Sequence, residues 1–335
     1  METRIPSDAR RSRAMSAELH AMASEPIVYL TEADVRALLD IGALRTMLAR
    51  ALVALSDGTT SVPARVSANA PRGLVAAMPG YVPDIALELK AVTVFPGNHD
   101  AGLPAHQGVI VMFDEHTGTP TAIIDAASIT AVRTAVTASL AADLLARRDA
   151  TTLAIIGAGV QGHAHLDALA DRRPWRDVRI ASRNGDHAAT LAARTPHGRV
   201  TTFEEATRGA DVVCLCTDAP AAVIDASWLA PGAHLSSVGF HGELPVEAVA
   251  NGSVFVEWHG AATFAPPAGA AELQGIDVAR LTEIGDVIAG RHPGRQSLDE
   301  LTVYKSTGHA VEDAAAVRLV LDAAIASGTG LRLAR

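Results

Sequence analysis

The run Gly157-Ala158-Gly159-Val160-Gln161-Gly162 constrains this chain more than any other feature. It directly follows Thr152-Leu153-Ala154-Ile155-Ile156, an apolar stretch of strand length, and it opens a segment with helical spacing. In such a turn the first glycine makes the tight bend, the second lets a pyrophosphate approach the backbone, and the third lets helix and strand pack closely. The phosphates then sit on the helix N-terminus. Downstream the chain alternates. Strands are expected at Val178–Ala181, Val200–Thr201, Asp211–Cys216, His234–Val238 and Ser253–Glu257, with helices at Gly162–Ala170, His187–Arg194 and Phe203–Arg208. That alternation predicts an α/β fold with a doubly wound parallel sheet of the Rossmann kind, binding a dinucleotide.

The second strand of this unit ends Ala181-Ser182-Arg183-Asn184. A carboxylate there would accept hydrogen bonds from the ribose 2′-OH of NAD; none is present, and Asp186 lies two residues beyond. A serine and an arginine suit a 2′-phosphate instead. Ser182, Arg183 and Asn184 are therefore expected to favour NADP(H), with NAD(H) possible.

The first part of the chain reads differently. Ile27–Leu30 is a short strand, Thr31 caps a helix, and Asp57-Gly58 closes a helix pair. Short apolar runs at Leu74–Met78, Ala91–Phe95 and Val109–Phe113 predict an antiparallel or mixed sheet. Thr130–Leu145 and Gly308–Ser327 read as long apolar helices, and Pro266–Gly269 as a surface loop. With 335 residues, two domains are expected: residues 25–128 with 308–335 for substrate binding and dimerisation, and 129–307 for the nucleotide. Residues 1–24 read as a disordered extension. Net charge is −9, which argues against a nucleic-acid partner. No uninterrupted apolar run reaches membrane-spanning length. The two cysteines, Cys214 and Cys216, alternate along one strand and cannot easily bridge, which suits a reducing, cytoplasmic setting.

Several segments carry a resemblance together. They are Pro63-Ala64-Arg65, Met78-Pro79-Gly80-Tyr81, Leu89-Lys90, Leu103-Pro104-Ala105-His106-Gln107, Thr130-Ala131-Val132-Arg133-Thr134, the fingerprint itself, and Thr302-Val303-Tyr304-Lys305-Ser306-Thr307-Gly308-His309-Ala310-Val311-Glu312-Asp313. In this order the chain resembles the ornithine cyclodeaminase/mu-crystallin family from about Tyr29 to Ser327. The resemblance implies a homodimer. It implies that Arg65, Lys90 and Arg133 bind a substrate carboxylate, with His106 and Met78 in the same pocket. Thr134, Gly157–Gly162, Thr217, Lys305 and Ser306 are implied as cofactor contacts. Independently, an acidic chain that keeps three cations beside apolar segments has reason to bind an anion, because an unpaired buried charge is expensive. Taken singly, each cation can also be read as half of a structural ion pair.

One departure bears on the reaction. Cyclodeaminases carry an acid/base Asp shortly after the Val-Gly of the loop; here the segment is Val238-Gly239-Phe240-His241-Gly242-Glu243-Leu244. Phe240 or His241 takes the place, and His241 could donate a proton, as could Lys90. The expected activity is NAD(P)H-dependent reduction of an imino acid, or equivalently amino-acid dehydrogenation. Two alternatives stay open: ornithine cyclodeaminase, and a non-catalytic small-ligand-binding protein. No metal is expected, since the histidines and cysteines lack ligand spacing.

Overall fold

The computed structural model describes residues 25–239 and 241–335, apart from the side chains of 99 and 100. The expectations for the first 24 residues and for Phe240 lie outside the described residues. The chain begins with β1 (Ile27–Leu30). Thr31 and Asp34 form a reciprocal capping box on α1 (Glu32–Leu38), and Asp40 caps α2 (Ile41–Ser56). Five strands follow: β2 (Val66–Ala70), β3 (Gly73–Val82), β4 (Ala86–Val94), β5 (His106–Phe113) and β6 (Pro120–Asp125). Asp125 then caps α3 (Ala126–Leu145) through the amides of Ala127 and Ser128. The helix thus starts before Thr130, and the boundary expected at 128/129 falls inside its first turn.

The second half runs β7 (Thr152–Ile156), α4 (Val160–Leu169), β8 (Asp177–Ala181), α5 (Gly185–Ala192), β9 (Gly198–Val200), α6 (Phe203–Thr207) and β10 (Val212–Leu215). It continues with β11 (His234–Ser237), α7 (Val246–Asn251), β12 (Ser253–Val256), α8 (Gly260–Thr263), β13 (Leu281–Glu283), α9 (Ile284–Ile288), β14 (Thr302–Lys305), α10 (Ala310–Ser327) and β15 (Leu331–Leu333).

The strands form two sheets. The first has the order β15-β1-β6-β5-β4-β3-β2 and is antiparallel except where β1 meets β6. The second, β13-β12-β14-β11-β10-β7-β8-β9, is parallel throughout. Its β9-β8-β7-β10-β11 portion is the doubly wound order, reversing direction between β7 and β10. Helices α3 and α10 share one apolar core with α2, with Ile110, Met112 and Ile124 of the first sheet, and with Phe255 and Tyr304 of the second. Rows of buried alanine on both helices (Ala135, Ala138, Ala141; Ala314, Ala315, Ala316) let the backbones approach closely. Helix α3 is long and apolar enough to cross a membrane by length and composition, yet 67% of its most apolar window is buried inside the molecule. It is a core helix.

Four strands were not anticipated. β14 is fully buried, but its sequence Thr-Val-Tyr-Lys has neither alternation nor apolar continuity. β2 is exposed along its whole length at a sheet edge, and β13 and β15 are three residues each. The expected surface loop turns inward: Pro266 is exposed, whereas Ala268 and Gly269 are buried.

Candidate active site

The fingerprint has the geometry its residues demand. Gly157 has φ +110°, and a Cβ there would lie 2.5 Å from the Cys216 carbonyl oxygen. A Cβ on Gly162 would lie 2.0 Å from the Gly157 carbonyl oxygen, so the close approach of helix to turn needs glycine. A Cβ on Gly159 would meet nothing within 4 Å, and no side chain caps the N-terminus of α4. Ala158, Val160 and Gln161 complete this turn. An open backbone face and uncapped helix amides fit a dinucleotide's pyrophosphate.

The end of β8 lies alongside, since the Gly157 amide donates to the Ala181 carbonyl at 2.8 Å. Ser182 is half-buried and Arg183 exposed. The Asn184 side-chain oxygen caps α5 through the amides of Asp186 (3.0 Å) and His187 (3.1 Å), so that atom is committed to the helix.

Glu243 organises the next two loops. One carboxylate oxygen accepts from the Thr217 amide (2.8 Å) and hydroxyl (2.6 Å). The other accepts from the Ser237 hydroxyl (3.0 Å) and the amides of Val238 (3.2 Å) and Gly239 (2.6 Å). Thr217 is thereby fixed against the Gly157 turn. Lys305, expected at the cofactor, is otherwise engaged. Its ammonium reaches Ser237 Oγ (3.0 Å), the Gly239 carbonyl (2.9 Å) and Glu272 Oε1 (3.0 Å), which uses all three of its donors. Ser306 is buried, and its hydroxyl accepts from the Gly308 amide at 3.2 Å. His241 projects half-exposed beside the loop after β10, its Nε2 3.5 Å from Asp218 Oδ1.

The three predicted cations converge, but with counter-ions that the sequence reading missed. Lys90 donates to Asp313 (3.0 Å) and to the Thr130 hydroxyl (2.7 Å). Arg133 pairs with Glu312 at 2.5 Å and with Asp313 at 3.1 Å, all of them buried. Both therefore fill the structural-pair role that each admitted singly. Arg65 is different: its guanidinium donates to the carbonyls of Thr307 and Gly308, both at 2.6 Å, and the Glu257 carboxylate accepts from the amides of the same two residues at 3.1 and 3.4 Å. Met78 is opposite Lys90 in the antiparallel register and is buried on the same face. His106 is not brought in. It shares the Lys90 face but is paired with Val94, four residues further along β4, about 13 Å away at strand rise, at an exposed end. Thr134 is buried on α3 next to Arg133.

Burial dominates the electrostatics. It pushes Glu312 up to about 8 against the pull of Arg133, and with Asp313 it lifts Glu88 well above the carboxylate range. Burial also opposes ionisation of Asp313, but Arg133 and Lys90 overcome it and hold that carboxyl below its ordinary value. Glu312 is thus largely protonated at neutral pH, and burial works against the charge on Glu88. Three cations then face Asp313 and Glu257, leaving one positive charge in excess. Buried side-chain atoms without a partner also gather here: both oxygens of Glu88, Glu312 Oε1, Asp313 Oδ2 and His309 Nδ1. Buried polar groups are nearly always satisfied, so such a concentration makes this cluster the candidate ligand site. Thr307 and Glu257 follow β14 and β12, as Gly157 and Thr217 follow β7 and β10, so cluster and fingerprint share the carboxyl edge of the parallel sheet. Among the described residues no group of side chains could hold a metal ion.

Comparison with known proteins bears on this arrangement. The profile of the ornithine cyclodeaminase/mu-crystallin family matches residues 26–328. The chain is 34% identical over 276 residues to ketimine reductase mu-crystallin of Mus musculus, covering 79% of this chain and 86% of that protein. Thermococcus litoralis Delta(1)-pyrroline-2-carboxylate reductase, solved with NADH and L-proline, superposes with TM-score 0.85 at 28% identity, covering 92% of this chain and all (100%) of that one. An archaeal alanine dehydrogenase dimer with bound NAD gives 0.84 at 27% identity over 92% and 98%.

Proposed function

The chain belongs to the ornithine cyclodeaminase/mu-crystallin family, and from that premise we propose that it is an NAD(P)-dependent oxidoreductase that reduces the C=N bond of an imino acid. The observation that carries this reading is Arg65. It is held by two backbone carbonyls, it has no carboxylate of its own within ion-pair distance among the described residues, and its own charge is the one left over once Asp313 and Glu257 are set against Lys90 and Arg133. A substrate carboxylate supplies the missing anion and can accept a charge-assisted hydrogen bond from the Arg65 donors that the two carbonyls do not use. Lys90 and Arg133, locked by Asp313 and Glu312, form the rigid cationic floor that orients it. The bound nicotinamide supplies the hydride. Gly157–Gly162 and Thr217 would hold the cofactor's phosphates, and Ser182 with Arg183 favours the 2′-phosphate of NADP(H). His241, paired with Asp218, is the candidate proton donor to nitrogen.

Cyclodeamination fits less well, because the loop's own carboxylate, Glu243, has both oxygens committed to backbone and hydroxyl donors. The exposed face of the first sheet suits a homodimer, as in the alanine dehydrogenase relative. Arg65→Gln tests the clamp. It should raise KM for an imino acid at least tenfold while leaving NADPH affinity within a factor of two. An unchanged KM refutes this role.

A further inference from the structure

His309 is the buried residue nearest this clamp that no step above uses. Its ring is only 4% exposed, and Nδ1 has no hydrogen-bond partner. It is held firmly from one side: its centroid lies 4.8 Å from that of Trp258, which stacks in turn on Phe264 at 5.3 Å and 18°. The indole N–H of Trp258 donates to the Thr307 hydroxyl at 3.2 Å. In a chain with only 4% aromatic residues, this stack is a local concentration. It aligns the imidazole next to the 307–308 turn whose carbonyls grip Arg65. Burial first, then Arg65, lowers the imidazole's pKa to about 3, so the ring is neutral.

We propose that His309 is a fourth member of the substrate clamp, its Nδ1–H donating a hydrogen bond to the same carboxylate that Arg65 binds. Arg65 only donates, so a ligand atom within reach of both groups must be an acceptor. A neutral imidazole can present an N–H there without adding a further charge to an already cationic cluster. An iminium N–H at this spot would face Arg65 and Arg133 and be repelled. The ligand group is thus an anionic oxygen, and the stack with Trp258 sets the angle at which it is met. This assignment rests on the reading of the site as a carboxylate-binding reductase centre.

The test uses pyruvate as a monocarboxylate probe, titrated calorimetrically into the full-length protein saturated with NADP⁺, alongside KM for an imino acid. His309→Leu should weaken pyruvate binding and raise KM at least tenfold, with kcat and NADP⁺ affinity within threefold. His309→Asn should restore both to within about threefold of wild type, because its amide nitrogen, like Nδ1, is one bond from Cγ. Unchanged pyruvate affinity in His309→Leu overturns the proposal. So does an Asn variant as weak as Leu, which would assign His309 to packing alone, and so does a wild-type protein that binds no pyruvate. A wild type that binds pyruvate through His309 but reduces no imine leaves this assignment standing and refutes the proposed reaction.

Discussion

Arg65, Lys90 and Arg133 are visible as candidates through the family resemblance of their segments, and the cost of an unpaired charge beside apolar runs supports them. Their partners were not. Glu312 and Asp313 stand in plain view, but they fall in the first turn of α10, where carboxylates are ordinary complements of the helix dipole. Nothing local says that this turn points into the molecule. Glu257 and Glu243 follow short apolar strands and reveal their backbone partners only after folding. The coupling has a measurable consequence. Below about pH 8 Glu312 is protonated and the cluster keeps its positive excess; above it Glu312 ionises beside Arg133 and cancels that excess. Affinity for an anionic substrate should therefore fall as pH rises through about 8. A pH profile of kcat/KM checks this: the alkaline limb should flatten in Glu312→Gln, and an unchanged limb in that variant contradicts the assignment.

Among the elements, strand–helix alternation from β7 to β12 was legible because the apolar strands β7, β10 and β12 stand out and the side-chain caps of α5 and α6 mark helix starts between them. β14 was not, because a central strand made of Thr, Val, Tyr and Lys is specified by its neighbours, with β11 on one side and β12 on the other. That strand delivers Lys305, whose ammonium ties Ser237, Gly239 and Glu272 together. The first sheet carries its own signal. Val66, Ala77, Ala91 and Val109 form one cross-strand row on the face turned away from the helices, with Val66 67% and Val109 37% exposed. A face of small and apolar residues on a sheet suits cover by a second copy, which is the proposed dimer. Light scattering should give twice the chain mass, and Val109→Lys should shift the species toward monomer. A wild-type monomer at assay concentration removes the dimer.

At the scale of the whole molecule, two sheets share a core of alanine-rich helices, and that core decides where chemistry can happen. α10 carries its first-turn carboxylates between the sheets, so Lys90 from one and the turn after β14 from the other meet at a single edge, beside the fingerprint. On the proposed reading this edge holds a carboxylate while hydride reaches an adjacent C=N carbon, without the base that cyclisation requires. The most direct measurement follows nicotinamide absorbance and product together, with imino acids and with ornithine as substrates. The predicted result is stoichiometric oxidation of NADPH by an imino acid, faster than of NADH, with an amino acid formed and no proline from ornithine. Proline and ammonia released from ornithine with no net change in cofactor would contradict it.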